Sequence, residues 1–209
     1  MRVLDVGSGS GALADAILRA RPDAQVLGAD LADGAVSLAR ARVPKAAFLQ
    51  QDFARTTAIA PEYVGWATHA VCSEVLEHLD DPETVLGNVR PYLARGCRLV
   101  VTVPAGPMTA FDKHIGHRRH FTADSLARVL RSSGFDVERV VGAGFPFFNL
   151  YRLAVLARGD ALIADVAEGD GAGLPARARL AMGIFAVLFS LNLDRSRLGW
   201  QLAATAVVT

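Results

Sequence analysis

Val3-Leu4-Asp5-Val6-Gly7-Ser8-Gly9-Ser10-Gly11, followed by Ala12-Leu13-Ala14-Asp15-Ala16-Ile17-Leu18, is the stretch whose reading decides the fold. An apolar run carrying one carboxylate predicts a strand, three glycines at alternate positions predict a tight turn, and Leu13, Ala14, Ile17 and Leu18 fall on one helical face. Glycine lets the backbone take positive φ and lets a ligand approach the main chain closely, while the helix that follows points its free N–H groups at that ligand. The stretch therefore predicts strand, turn and helix with a small polar molecule at the turn.

Two ligand classes fit that description. Gly7, Gly9 and Ala12 satisfy the dinucleotide pattern G-x-G-x-x-G/A, with Asp30 about the right distance onward to hold a ribose. Asp5 argues against a pyrophosphate, because a buried carboxylate two residues before the turn repels phosphate charge in a low-dielectric crevice. No Lys or Arg lies between Asp5 and Ala16. An acidic cradle suits S-adenosylmethionine, which offers a ribose, an ammonium and a sulfonium and carries no phosphate. The segment resembles motif I of the class I S-adenosylmethionine-dependent methyltransferases, an acidic residue followed by G-x-G-x-G. That resemblance implies donor contacts from Asp5, Gly7, Ser8, Gly9 and Gly11.

Composition narrows the classes further. A chain of 209 residues with 52% hydrophobic content can fill the core of one α/β domain, so a single domain over 1–209 is expected. A formal charge of +1 gives no footprint for a polyanion, which argues against nucleic acid as partner. Two cysteines, Cys72 and Cys97, each fall inside an expected buried strand, which fits reduced thiols and a cytoplasmic location better than a disulfide framework. Strand-forming residues begin almost at Met1, with no signal peptide before them. The family resemblance implies a helical segment ahead of motif I that this sequence does not contain. Either another part roofs the site or the start is truncated.

Carboxylates recur where strands are expected to end. Gln25-Val26-Leu27-Gly28-Ala29-Asp30 runs apolar into Asp30, placed to accept ribose hydroxyls, with Leu31 beside it; a turn or N-cap aspartate is the alternative. A helix over Asp33 to Val43 ends at Pro44, and Ala46 to Leu49 reads as a third strand leading to Asp52 and Phe53. The resemblance implies that Asp52 meets the adenine amino group and Phe53 packs on the ring; a loop aspartate is the alternative. Thr68 to Ser73 reads as the fourth strand and feeds Glu74-Val75-Leu76-Glu77-His78-Leu79. This string is similar to motif IV of the ubiquinone-biosynthesis O-methyltransferases and related small-molecule enzymes, which implies Ser73 and Glu74 at the donor. Some of those enzymes are understood to bind Mg2+ through positions matching Glu74, Glu77 and His78. Imidazole is a poor magnesium ligand, and Glu77 and His78 read equally as a buttress for a short helix.

Asp81 with Pro82 predicts N-cap and N1 of a helix running to Leu93, its last turn kinked by Pro91 and its end set by Gly96, and Cys97 to Val103 a buried fifth strand. The segment Asp112-Lys113-His114-Ile115-Gly116-His117-Arg118-Arg119-His120-Phe121-Thr122 follows, holding three of the chain's five histidines. It lies past the carboxyl end of a central strand, where α/β enzymes present acceptor-side groups. It also resembles a D…GHxRR(Y/F)T stretch of bacterial small-molecule methyltransferases. Methyl transfer needs donor and acceptor aligned and, for a hydroxyl acceptor, a proton removed. His117 is the first candidate base and His114 the second, with Asp112 to orient an imidazole and Arg118 or Arg119 to hold an acidic substrate group.

Thr122 predicts the cap of a helix ended by Gly134, and Phe135 to Val141 a sixth strand. Two apolar helices are expected over Phe147 to Ala164 and Arg177 to Leu193, joined by a glycine-rich linker over Glu168 to Pro175, before a last strand over Gln201 to Val208. Leu180 to Leu193 gives roughly 14 apolar residues against the ~20 of a bilayer span. Lid, homodimer interface and peripheral membrane contact remain open for this region. Together the motifs imply a Rossmann-like, doubly wound α/β fold: a seven-stranded sheet with an antiparallel last strand and a helical insertion at about 143–197. They imply methyl transfer from S-adenosylmethionine to a small-molecule acceptor at oxygen. An NAD(P)-dependent reductase and a donor-binding but catalytically silent partner subunit are the alternatives.

Overall fold

The computed structural model describes residues 1–55, 58–158, 176–193 and 195–209. The opening stretch forms β1 (Arg2–Val6) and α1 (Ala12–Ala20), joined by the glycine turn. Then come β2 (Gln25–Asp30), α2 (Asp33–Arg42), β3 (Ala47–Gln50), β4 (Ala67–Ser73), α3 (Pro82–Val89), β5 (Leu93–Pro104), α4 (Ala110–His114), α5 (Ala123–Ser132) and β6 (Phe135–Ala143). A helical pair, α6 (Phe147–Arg158) and α7 (Ala176–Phe189), precedes β7 (Gln201–Val208).

The sheet has seven strands in the order β3-β2-β1-β4-β5-β7-β6, and β7 runs antiparallel to both β5 and β6. The expected fold is the observed one. The order reverses between β1 and β4, which places the carboxyl ends of β1, β2 and β4 around one crevice. Leu4 and Val6 of β1 enter the larger core with Leu86, Val89, Leu126 and Leu130, whereas Val3 faces Ala14, Val36 and Ala39 on the other side. The parallel strands read as continuous apolar runs because helices cover both faces. In β7, Leu202, Ala204, Ala206 and Val208 are buried while the residues between them are half-buried, the period-2 pattern of an antiparallel strand covered best on one face.

Local chemistry sets most boundaries. Asp81 caps α3 by accepting from the Thr84 N–H at 3.0 Å, and Thr122 and Ser125 form a reciprocal capping box on α5. The helix expected to reach Leu93 stops at Val89, continues as a 3-10 turn over Arg90–Tyr92, and gives way to a strand at Leu93. Pro91 is the physical reason, since it lacks the N–H that a further helical turn needs. Gly96, expected as a helix stop, lies inside β5 at φ 75°.

The second helix is shorter than its apolar pattern, and residues 159–164 of the first expected helix lie outside the described residues. Within α6 the described part ends at Arg158, the linker over Glu168 to Pro175 lies outside the described residues, and α7 ends at Phe189. Phe148 and Tyr151 pack on Phe185 and Phe189, with Tyr151 5.4 Å from Phe185 between ring centres. Asn149 anchors the pair to the sheet: its amide donates to the Leu198 carbonyl at 2.6 Å and its oxygen accepts from the Trp200 N–H at 3.0 Å. Leu150, Leu153, Ile184, Val187 and Leu191 remain exposed. Among the described residues no helix is long and apolar enough to cross a membrane.

Candidate functional site

The glycine turn is clasped to the neighbouring strand. Gly7 and Ser8 both donate their N–H groups to the Ala29 carbonyl, at 2.8 and 3.1 Å, and Gly9 donates to Asp30 Oδ2 at 2.8 Å. Gly7 lies at φ 72° with Val75 Cγ2 only 2.3 Å from where a Cβ would stand, so this position tolerates no side chain. Gly9 lies at φ 50° with nothing within 4 Å, so its backbone faces open space. One glycine serves packing and the other serves approach.

Beside this turn lie polar atoms that folding alone leaves unmatched. Asp5 is 2% exposed, and its Oδ2 has no hydrogen-bond partner among the described residues; Ser8 Oγ is likewise buried and unpartnered. Burial, with the Asp30 charge nearby, pushes the Asp5 carboxyl up to about 6. Orphaned buried polar groups cost free energy unless something binds them, which fits a ligand carrying donors and positive charge. Asp30 accepts from Gly9 and from the Ala32 N–H at 2.9 Å, one bond per oxygen, leaving a further lone pair on each. Leu31 next to it is 63% exposed.

Asp52 and Phe53 are placed differently from each other. Asp52 accepts from the Ala54 N–H and pairs with Arg55 at 3.3 Å near the crevice, whereas the Phe53 ring packs edge-on against Tyr92 in the larger core. The open apolar side chain nearer the turn is Leu31. Ser73 Oγ meets Thr102 Oγ1 at 2.7 Å. Glu74 follows at φ 55°, the one non-glycine residue with positive φ among the described residues. Its Oε1 accepts from Thr102 Oγ1 at 2.9 Å and from Gln201 Nε2 at 2.5 Å. Strain of this kind persists where the surroundings over-determine it, here by β5 and β7 together.

The carboxyl end of β4 also joins the glycine-turn side of the crevice to the histidine loop. Residues Leu76–His78 form a 3-10 turn. Arg118 donates to the Glu77 carbonyl at 2.8 Å through its backbone and to the His78 carbonyl at 3.0 Å through Nε, and it pairs with Asp80 at 2.8 Å. These ties bring His78 and His117 edge to face, 4.7 Å between ring centres. His117 Nδ1 lies 3.3 Å from His120 Nε2, and His120 Nδ1 lies 3.1 Å from the Gly106 carbonyl. A carbonyl only accepts, so His120 carries its proton on Nδ1. With both rings neutral, His120 Nε2 accepts from His117 Nδ1–H, which leaves the His117 lone pair on Nε2. Burial and the neighbouring His78 charge lower the His117 pKa.

His114 stands apart, exposed at the end of α4. Asp112, expected to orient an imidazole, is 1% exposed and held mainly by Arg152 of α6, whose Nη1 and Nη2 each meet a carboxylate oxygen at 2.7 Å. Its nearest imidazole is that of His120, at 3.6 Å. Burial opposes ionisation of Asp112, but Arg152 and the Thr109 capping box prevail and hold it down at about 2. Arg152 was not singled out from the sequence, although one arginine inside Phe147-Phe148-Asn149-Leu150-Tyr151-Arg152-Leu153-Ala154-Val155 is a signal that a buried partner exists. Gln201 carries no such signal; it reaches the site because β7 is antiparallel and starts at this edge, opposite Pro104.

Glu77 is fully buried, both its carboxylate oxygens lack a partner among the described residues, and burial with the Glu74 charge pushes it up to about 8. The magnesium set implied by the resemblance does not fit this geometry. Glu74 Oε1 accepts from Thr102 and Gln201, and the ligand atoms of Glu77 and His78 gather with His117 and not with Glu74.

The comparisons with known proteins agree with this architecture. A family model described as a methyltransferase domain matches residues 4–99. A ubiquinone biosynthesis O-methyltransferase of Xanthomonas axonopodis pv. citri is 30% identical over 171 residues, covering 73% of this chain and 70% of that protein. One of the same description from Dinoroseobacter shibae is 31% identical over 152 residues, covering 65% of this chain and 60% of its own length. Among solved structures, a chain from the complex of the Haloferax volcanii Trm112 methyltransferase activator with a methyltransferase superposes with a TM-score of 0.63 at 18% identity, covering 99% of this chain and 82% of that one. By fold, motif order and relatives, the chain belongs to the S-adenosylmethionine-dependent methyltransferase family.

Proposed function

We propose that this chain transfers a methyl group from S-adenosylmethionine to a hydroxyl oxygen of a small-molecule acceptor. The observation that carries the reading is the pair of buried, unpartnered atoms Asp5 Oδ2 and Ser8 Oγ beside the open backbone of Gly9. Asp5, Asp30 and Glu74 make this edge acidic, which favours a cationic donor over a pyrophosphate. Asp30 keeps lone pairs for ribose hydroxyls, and Asp52 can accept from an exocyclic amine. The bound donor supplies an electrophilic methyl on a positive sulfur. For a hydroxyl acceptor the proton would go to His117 Nε2, the base that this chain itself supplies. The lowered His117 pKa keeps that lone pair free near neutral pH. Relatives named for O-methylation support oxygen as the acceptor atom.

Calorimetry with S-adenosylhomocysteine and with NADPH tests the donor. Binding of the first alone is expected, and binding of NADPH alone would overturn the reading in favour of a reductase. Turnover of a panel of phenolic and aliphatic hydroxyl acceptors separates an enzyme from a silent donor-binding subunit.

A further inference from the structure

We infer that His120 is the positioning residue of His117: it fixes the tautomer that leaves the His117 lone pair on Nε2, a part expected of Asp112 from the sequence. That His117 then serves as base rests on the proposed function; the tautomer follows from the geometry alone.

A neutral imidazole offers a lone pair at one nitrogen only where the other carries the proton, and what each nitrogen meets decides which that is. Without a partner the proton is shared between the two, and only part of the population presents a free Nε2. Here the bonds have a direction set by the backbone. His120 Nδ1 lies 3.1 Å from the Gly106 carbonyl, and His120 Nε2 lies 3.3 Å from His117 Nδ1. The carbonyl has no proton to give, so His120 donates to Gly106 and keeps Nε2 as an acceptor for the His117 Nδ1–H. The origin of this chain of bonds is held by the sheet. Ala105 donates its N–H to the Trp200 carbonyl at 2.8 Å, and Gly106, at φ 73°, has Trp200 Cγ 2.7 Å from where a Cβ would stand. The junction of β5 and β7 thus places the Gly106 carbonyl, and His120 carries its influence to the crevice.

Asp112 does not take this part. Each of its oxygens meets Arg152 at 2.7 Å, and Oδ2 also accepts from the Thr109 N–H at 2.7 Å. Its nearest imidazole atom is His120 Nε2 at 3.6 Å, the atom that already faces His117. With its cation supplied by Arg152, Asp112 calls for no second one on His120. What it gives His117 is main chain: the Asp112 carbonyl accepts the His117 N–H at 2.9 Å. His78 meets the same ring edge to face, 4.7 Å between centres, which sets the plane of the ring and not the place of its proton.

Position 120 is also where this chain departs from the loop motif. In D…GHxRR(Y/F)T the residue before the aromatic is arginine, and here it is His120. Arginine only donates and could not accept from His117 Nδ1–H.

The test is long-range 1H–15N correlation spectroscopy of the full chain labelled with 15N-histidine, at about pH 8, where unperturbed imidazoles are neutral. Wild type, His120→Gln and His120→Leu are compared, and His117→Gln identifies the His117 signals. Glutamine offers the same pair of functions, one donor for Gly106 and one acceptor for His117, whereas leucine fills the space and offers neither. S-adenosylhomocysteine binding and a thermal melt confirm that each variant is folded. The expected result is His117 protonated at Nδ1 and bare at Nε2 in wild type and His120→Gln, with signals averaged between the two tautomers in His120→Leu. A wild-type His117 protonated at Nε2, an unchanged pattern in folded His120→Leu, or its loss in folded His120→Gln would overturn the assignment; if His120→Leu does not fold, the wild-type and glutamine spectra decide. None of these readouts involves turnover, so a failure of methyl transfer counts against the proposed function and is told apart from a failure here.

Discussion

Neighbouring glycines in one turn do different work, and Gly7 and Gly9 show it. Gly9→Ala adds a methyl group into open space at positive φ, which costs about 1 kcal/mol of stability and obstructs close approach to the backbone. Donor affinity is expected to fall at least about tenfold while a urea melt shifts little; a larger loss of stability than of affinity would contradict this division. Asp5 predicts a pH dependence. Its carboxyl ionises at about 6 in the fold against 3.8 ordinarily. The native state therefore holds an extra proton between these values, and stability falls as pH rises across that window, by up to about 3 kcal/mol. Asp5→Asn stays neutral, so its stability relative to wild type should rise from pH 4 to pH 7 by that amount. Urea melts of both proteins across the range measure it, and a constant difference would refute it.

At the scale of elements, the Arg152–Asp112 pair ties α6 to the segment carrying the histidines. Arg152→Ala leaves a fully buried carboxylate without its cation, an expected loss of about 3 kcal/mol in equilibrium unfolding. Arg152→Lys restores charge but not the two-pronged geometry and should fall between. The Asp112 pKa is depressed, so its contribution is present above about pH 4 and lost as pH falls through about 2. Acid unfolding of Arg152→Ala should accordingly converge on that of wild type at low pH. His117 would also lose its orienting backbone bond to Asp112 if the pair holds the loop, so turnover in the variant should fall more than donor binding does.

For the molecule as a whole, a ligand that binds only the folded state raises stability, by about 2.7 kcal/mol at a hundredfold excess over Kd. S-adenosylhomocysteine should raise the Tm of wild type accordingly, Gly9→Ala should show less of this shift at the same concentration, and NADPH should produce none. The topology gives the reason for a shared edge. β1, β2 and β4 deliver Gly7, Asp30 and Glu74 to one side of the sheet, and antiparallel β7 returns Gln201 to the same side.

The sequence by itself determined the elements and the glycine turn, because their signals are local: glycine spacing, strand-end carboxylates at Asp5, Asp30 and Asp52, the caps Asp81 and Thr122, and the seven apolar runs. Where it erred, at Leu93 and Gly96, Pro91 ended the helix outright where a kink was expected, and the strand began at Leu93. Tertiary structure alone decided the partners. Glu74 meets Gln201 across 127 residues and Asp112 meets Arg152 across 40, and neither encounter follows from propensity or period. They follow from chain crossings that bring distant segments to one edge, where burial forces each polar group to find whichever partner the packing has placed there.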